Sequence, residues 1–202
     1  MDELIAGYRR FRQENWPQLR QRFEALAEHG QHPHTMIIAC SDSRVDPQMI
    51  FAAAPGELFV VRNVANLVPP YMPDAVFHGT SAAVEFGVRV LKVGHIVVLG
   101  HGLCGGIRAL LEGTPPEARD FVAGWIEIAR PIRARVLSCE PVEARQELAE
   151  HEAVRLSLAN LLTFPWVAEA VQAGRLRLHG AHFAVHTGKL VLLGEDGSFT
   201  PA

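Results

Sequence analysis

The chain has 202 residues, of which 49% are hydrophobic and 20% charged, with a formal net charge of −3. That balance suits a single globular domain, 1–202, with a substantial buried core. The slight acidity gives no footing for a nucleic-acid or anionic-membrane partner, and no apolar run approaches the ~20 residues needed to span a bilayer. Cys40, Cys104 and Cys139 are odd in number and too few for a disulfide framework, and the first ten residues lack the basic-then-apolar order of a signal peptide. A reducing, cytoplasmic setting is therefore expected.

Asp2 to His29 reads as helix, with Pro17 placed to open a second helix and Gly30 to close it. Thr35 to Ala39 is a buried strand that delivers Cys40, and Leu58 to Arg62 is another β-branched run after the Pro55-Gly56 turn. Thr80 or Ser81 is suited to cap a helix running to about Lys92, with Val84, Val88 and Leu91 on one face. His95 to Leu99 is the next strand, and the glycines after it open a helix. From about Glu117 to Ala173 the pattern is helical, interrupted by Pro131, Pro141 and Pro165, the longest stretch being Glu143 to Leu162. Arg175 to Val185 and Lys189 to Leu193 alternate around Thr187-Gly188 as a terminal hairpin. The fold class is thus α/β: a mostly parallel central sheet with flanking helices, an N-terminal helical arm, and C-terminal helices and hairpin.

Ligands of such sheets sit beyond the carboxyl ends of the strands, where Cys40 and His101 fall. Cys40-Ser-Asp-Ser-Arg44 follows one strand and Gly100-His-Gly-Leu-Cys-Gly-Gly106 the other. Cys40, His101 and Cys104 make a Cys₂His set, which suits a tetrahedral Zn²⁺ with its fourth position open, the pattern of a catalytic site. Zinc polarises water toward hydroxide, but two thiolates cancel its formal charge, so help is needed. Asp42 is the candidate acceptor from the zinc-bound water, and Arg44 the candidate bidentate partner that holds Asp42. Gly105 and Gly106 have two plausible roles, close backbone approach to the metal and helix N-terminal amides near an anionic product.

Bland readings compete with these. A lone Cys at a strand end is usually a small core residue, and Asp42 with Arg44 in isolation reads as a salt bridge closing a turn. The His101-x-x-Cys104 spacing combined with Cys-x-Asp-x-Arg outweighs both. Cys139 is read as structural. The remaining histidines, scattered along the chain, are read as surface or core residues. Gly100-His-Gly102-Leu-Cys-Gly105 satisfies a dinucleotide fingerprint, but it is not in the first βα unit and places His and Cys where pyrophosphate would lie.

With those motifs in place the chain resembles the β-class carbonic anhydrases over nearly its whole length. The resemblance rests on the Cys40 and Gly100 blocks, on Gly56-Glu-Leu-Phe-Val-Val-Arg-Asn-Val-Ala-Asn66 between them, and on two weaker blocks, Ser157 to Pro165 and Gly174 to Gly180. It implies reversible hydration of carbon dioxide to bicarbonate and a proton by zinc-bound hydroxide. One zinc per subunit would be held by Cys40, His101 and Cys104, with Asp42 and Arg44 catalytic. Asp42 becomes a fourth ligand only in a closed state. Gln31, Phe59, Val64 and Phe86 fall where the plant-like, open-site branch lines its pocket, and Gly105 would offer its amide to substrate. The resemblance also implies a homodimer or tetramer, with the arm, residues 1–30, packed on a partner subunit and pockets at the interface.

In the inhibited type, tryptophan, arginine and tyrosine form a bicarbonate side pocket. Here Ile37, Arg62 and Phe183 stand at those positions, which with Ala39 favours the open branch. Ala181 and Ala184 also depart from the family pattern. A hydrolase of a related linear triatomic such as carbon disulfide, and a non-catalytic zinc-stabilised binding module, remain alternatives.

Overall fold

The computed structural model describes residues 1–74 and 77–202. Helix α1 (Asp2–Arg10) runs through a wide π-helical turn, Phe11–Asn15, into α2 (Trp16–His29), where Pro17 occupies the first turn. Strand β1 (Thr35–Cys40) follows, then the one-turn α3 (Pro47–Ile50), which begins where the Asp46 carboxylate accepts from the Met49 N–H at 3.1 Å. Next come β2 (Leu58–Asn63), α4 (Gly79–Glu85) with a π-helical extension over Phe86–Val90, and β3 (His95–His101). Helices α5 (Gly105–Glu112), α6 (Val122–Ile126), α7 (Arg130–Leu137), α8 (Arg145–Leu161) and α9 (Pro165–Gln172) precede β4 (Arg177–Ala184), β5 (Lys189–Leu193) and β6 (Phe199–Pro201).

The sheet order is β2-β1-β3-β4-β5-β6. The first four strands in that order are parallel and the last two pairings antiparallel, as the alternating terminal hairpin requires. The register sets Ala39 beside Leu99, Cys40 beside Asn63 and His101 beside Phe183. Two adjacent central strands therefore end side by side, one on Cys40 and the other on His101.

Period-two alternation sends Met36, Ile38, Ile96 and Val98 to one sheet face, where Val84 of α4, Val154 and Leu161 of α8, and Val167 of α9 cover them. Helix α8 seats directly on β3, because a Cβ at Gly100 would lie 2.7 Å from Val154 Cγ2. The opposite face carries a smaller cluster of Ile37, Ala39, Leu99 and Ala181. A further apolar cluster forms at the carboxyl edge, where Val45, Ala65, Ile107, Leu110, Ile132, Ala149 and Ala153 surround Cys40 and Cys104. The arm is different: no residue of α1 or α2 is buried within the chain, and Leu4 and Tyr8 are 74% and 58% exposed.

Several local expectations need correction. Thr80 does not cap α4; it is buried, and its hydroxyl accepts from Asn63 Nδ2 at 3.1 Å. Pro131 and Pro165 open α7 and α9 instead of interrupting helices, since a first-turn proline sacrifices no intrahelical hydrogen bond. Strand β6 extends the expected hairpin to three strands.

Candidate metal centre

The ligand atoms of Cys40, His101 and Cys104 lie within 4.8 Å of one another, the only such buried group of metal-binding side chains among the described residues. The two sulfurs are 4.0 Å apart. Two thiolates on a tetrahedral zinc stand about 3.8 Å apart for ordinary Zn–S bonds, so little movement is needed to close on an ion. His101 Nδ1 is tied to the Gly102 carbonyl at 2.9 Å, while its buried Nε2 has no hydrogen-bond partner among the described residues. An oriented imidazole with one unused buried nitrogen fits a metal ligand.

The electrostatics point the same way. The hydrogen bond from Cys104, with help from His101 and the Asp42 and Ala65 amides, overcomes burial and brings the Cys40 thiol down to about 4. Cys104 is pushed far up by its hydrogen bond to Cys40, by burial and by the neighbouring thiolate, although the Ile107 and Gly106 amides oppose this. Burial disfavours charge on His101, but the Cys40 sulfur more than offsets it and the imidazole is raised. The pair thus keeps one proton that a divalent cation would displace.

Asp42 and Arg44 form the expected fork: Arg44 Nε reaches Asp42 Oδ1 at 2.9 Å and Nη2 reaches Oδ2 at 2.7 Å. The Arg44 amide adds a third bond to Oδ1 at 3.0 Å, and Nη2 also donates to the Leu103 carbonyl at 3.1 Å. Arg44 is the main cause that holds the Asp42 carboxyl far below the usual carboxylate range. Leu103 itself takes φ 59, a left-handed residue in the short turn between His101 and Cys104.

The two glycines divide their roles. A Cβ at Gly106 would lie 2.8 Å from Val64 Cγ1 and 2.9 Å from Ala65 Cβ, so the start of α5 can press against that loop only with glycine there. Gly105 has open space around it.

Of the expected pocket residues, Val64 lies next to Gly106 and borders a cavity of about 540 Å³ with Thr80, Phe121 and Trp125. Gln31, Phe59 and Phe86 do not join it within one chain. Gln31 is exposed in the loop before β1, and Thr35, still further along, is about 17 Å from Cys40 at ordinary strand rise. Phe59 pairs with Met36, near that same end, and packs on Phe86 with ring centroids 5.9 Å apart.

Three residues at the centre escaped the sequence reading. Glu150 of α8, 3% exposed, accepts from the Cys104 amide at 3.0 Å and from His182 Nε2 at 3.0 Å. Gln146 Nε2 donates to the Cys104 carbonyl at 3.1 Å and to Glu150 at 2.7 Å. Their signal is an acid and an amide four residues apart on a helix face that otherwise carries Ala149, Ala153 and Ser157. Nor are the other histidines scattered in space. His151 packs on His182 with centroids 4.6 Å apart, and His95 Nδ1 lies 2.9 Å from His179 Nε2, with His34 beside them. None of these joins the metal-ligand group. Cys139 is half-buried and free, and it is not part of the metal-ligand group.

The family model described as carbonic anhydrase matches residues 35–190. A carbonic anhydrase from Pseudomonas aeruginosa is 41% identical over 200 residues, covering 98% of this chain and 89% of that protein. Among solved structures, the β-carbonic anhydrase CcaA superposes with a TM-score of 0.93 at 35% identity, covering 100% of this chain and 92% of that one. A tetrameric β-carbonic anhydrase from the filamentous ascomycete Sordaria macrospora gives 0.81 at 27% identity, covering 98% of each chain.

Proposed function

From the premise that this chain belongs to the β-class carbonic anhydrases and catalyses the reversible hydration of carbon dioxide to bicarbonate and a proton, we propose that Cys40, His101 and Cys104 hold the zinc ion it works with. The observation that carries this assignment is the buried, unpartnered His101 Nε2 beside two sulfurs 4.0 Å apart. When bound, the ion supplies Lewis-acid activation of water.

The chain's own residues then do the rest. Asp42, fixed at both oxygens by Arg44, accepts a hydrogen bond from the attacking water and orients its lone pair toward the carbon. Because Arg44 is anchored to the Leu103 carbonyl, the Asp42 carboxylate is referenced to the loop that carries Cys104. Val64 provides an apolar wall for an uncharged linear substrate, and the Gly105 amide, in the first turn of α5, donates to a product oxygen.

Gln31, Phe59 and Phe86 act on a partner subunit's site, in keeping with their distance from Cys40 in their own chain. The uncovered apolar side chains of α1 support an arm, residues 1–30, docked on that partner, and the tetrameric relative supports a homodimer or tetramer. No helix among the described residues is long and apolar enough to cross a membrane, which is compatible with a cytoplasmic enzyme.

The open-site branch is favoured by the Asp42–Arg44 fork and by Ile37 and Phe183, which pack in hydrocarbon. Neither the carbon disulfide reading nor the binding-module reading gains support. Metal analysis of the purified protein tests the assignment: one zinc per subunit is expected, lost on Cys104→Ser and kept on Cys139→Ser. The reverse pattern would overturn it.

A further inference from the structure

We infer that Gln146, Glu150 and His182 form a positioning clamp on the Cys104 peptide, and that the clamp sets how long the zinc ion stays bound. The inference rests on Cys104 being a metal ligand, as proposed above. Two side chains one turn apart on α8 take both polar groups of that peptide unit's residue. The Cys104 N–H goes to Glu150 Oε1 at 3.0 Å and its carbonyl accepts from Gln146 Nε2 at 3.1 Å, alongside the Arg108 amide at 3.0 Å. Gln146 also donates to Glu150 at 2.7 Å, so the two grips are joined.

Glu150's other oxygen is held by His182 Nε2 at 3.0 Å, and both residues are 3% exposed. His182 stands on β4 beside Gly100, the residue before His101. The clamp therefore ties the Cys104 loop both to α8 and to the sheet register that places His101.

A buried carboxylate is costly unless fully hydrogen-bonded, and an apolar side chain would fill this space at less cost. Glu150 has all its bonds directed at one ligand's backbone and its two supports. Fixing that peptide fixes the backbone from which the Cys104 sulfur is presented. Freed from it, the peptide can rotate away and carry the sulfur off the ion. A purely structural loop closure would lower the stability of the fold and leave metal exchange alone.

The test follows zinc release from the loaded protein to excess chromophoric chelator, with the thermal midpoint of the metal-free form measured in parallel. Gln146→Ala and Glu150→Leu should release zinc about ten- to a hundredfold faster than wild type. Glu150→Gln, which keeps an acceptor for the Cys104 amide, should return most of the way. His182→Phe should fall between. The thiolate-to-metal band of the cobalt form should shift in the first two, while the metal-free midpoint of Gln146→Ala stays near wild type. Should Glu150→Leu fail to fold, Gln146→Ala decides alone. Wild-type release rates in Gln146→Ala would overturn the clamp, as would faster release matched by an equal loss of metal-free stability. A wild type that holds no zinc would instead defeat the metal centre, and the clamp with it.

Discussion

Arg62 reaches from β2 to the carbonyl oxygen of Cys40, donating through Nε at 2.9 Å. Through Nη2 it also grips the Asp42 carbonyl at 2.6 Å. A third donor, Nη1, faces Asp46 at 3.4 Å. The guanidinium is thus spent on the loop that carries a metal ligand and the candidate catalytic carboxylate, and few donors remain for an anion.

From this, bicarbonate should inhibit without cooperativity. Ile37 is buried and Phe183 offers no donor, so a bicarbonate near Arg62 would be poorly satisfied. Initial rates of carbon dioxide hydration should fall hyperbolically as bicarbonate is added. A sigmoidal loss of activity would show a side pocket that Arg62 serves. Arg62→Ala should cost about 2–3 kcal/mol of stability by urea denaturation, because two backbone carbonyls lose a charged donor.

Asp42→Ala should keep zinc yet lower kcat by about 10²–10⁴-fold, the range for removing a positioned acid–base group. Cys104→Ser should lose most of its zinc, since an alcohol is a far poorer ligand than a thiolate. Metal content and stopped-flow rates measured on the same preparations separate the two roles. Equal loss of metal in both would make Asp42 a ligand in the resting enzyme.

The sheet, its parallel-then-antiparallel order and the carboxyl-edge location of Cys40 and His101 were legible because strand alternation and the two motifs are local signals. Asp42 and Arg44 were legible for the same reason: a two-residue spacing already puts them on one side. Glu150, Gln146 and His182 were not, because their meaning depends on α8 crossing the loop after β3, a contact 42 to 46 residues apart in the chain. Thr80 misled because a threonine at a helix start normally caps, whereas here Asn63 claims its hydroxyl. Gln31, Phe59 and Phe86 were singled out by position alone, and Phe59 pairs with Met36, toward the opposite end of β1 from Cys40.

His151 predicts acid sensitivity. Burial, with the charges of His182 and Arg155 outweighing that of Glu150, lowers its imidazole to about 4 from an ordinary 6.5. Its Nε2 has no hydrogen-bond partner among the described residues, and its ring stacks on Phe199 at 4.0 Å. Between pH 6.5 and 4 the unfolded chain binds a proton that the folded chain refuses, so stability falls as pH drops through that window. His151→Phe keeps the stacking and should flatten this part of the urea-midpoint profile. An unchanged slope would mean that other groups set it.

Deleting residues 2–29 should yield monomers by light scattering, with activity reduced along with assembly. Leu4, Ile5 and Tyr8 are exposed among the described residues, and the proposed pocket roles of Gln31, Phe59 and Phe86 require a partner's zinc site. An arm-deleted protein that remains a fully active dimer would remove the arm from the account.

The most direct measurement is a stopped-flow pH-indicator assay of carbon dioxide hydration as zinc is titrated into metal-free protein. Hydration should rise in proportion to zinc and level off at one equivalent per chain, and Asp42→Ala, loaded to the same extent, should level off about 10²–10⁴-fold lower. Full activity without metal, or a chain that binds its equivalent of zinc at Cys40, His101 and Cys104 and still fails to accelerate hydration, would contradict it.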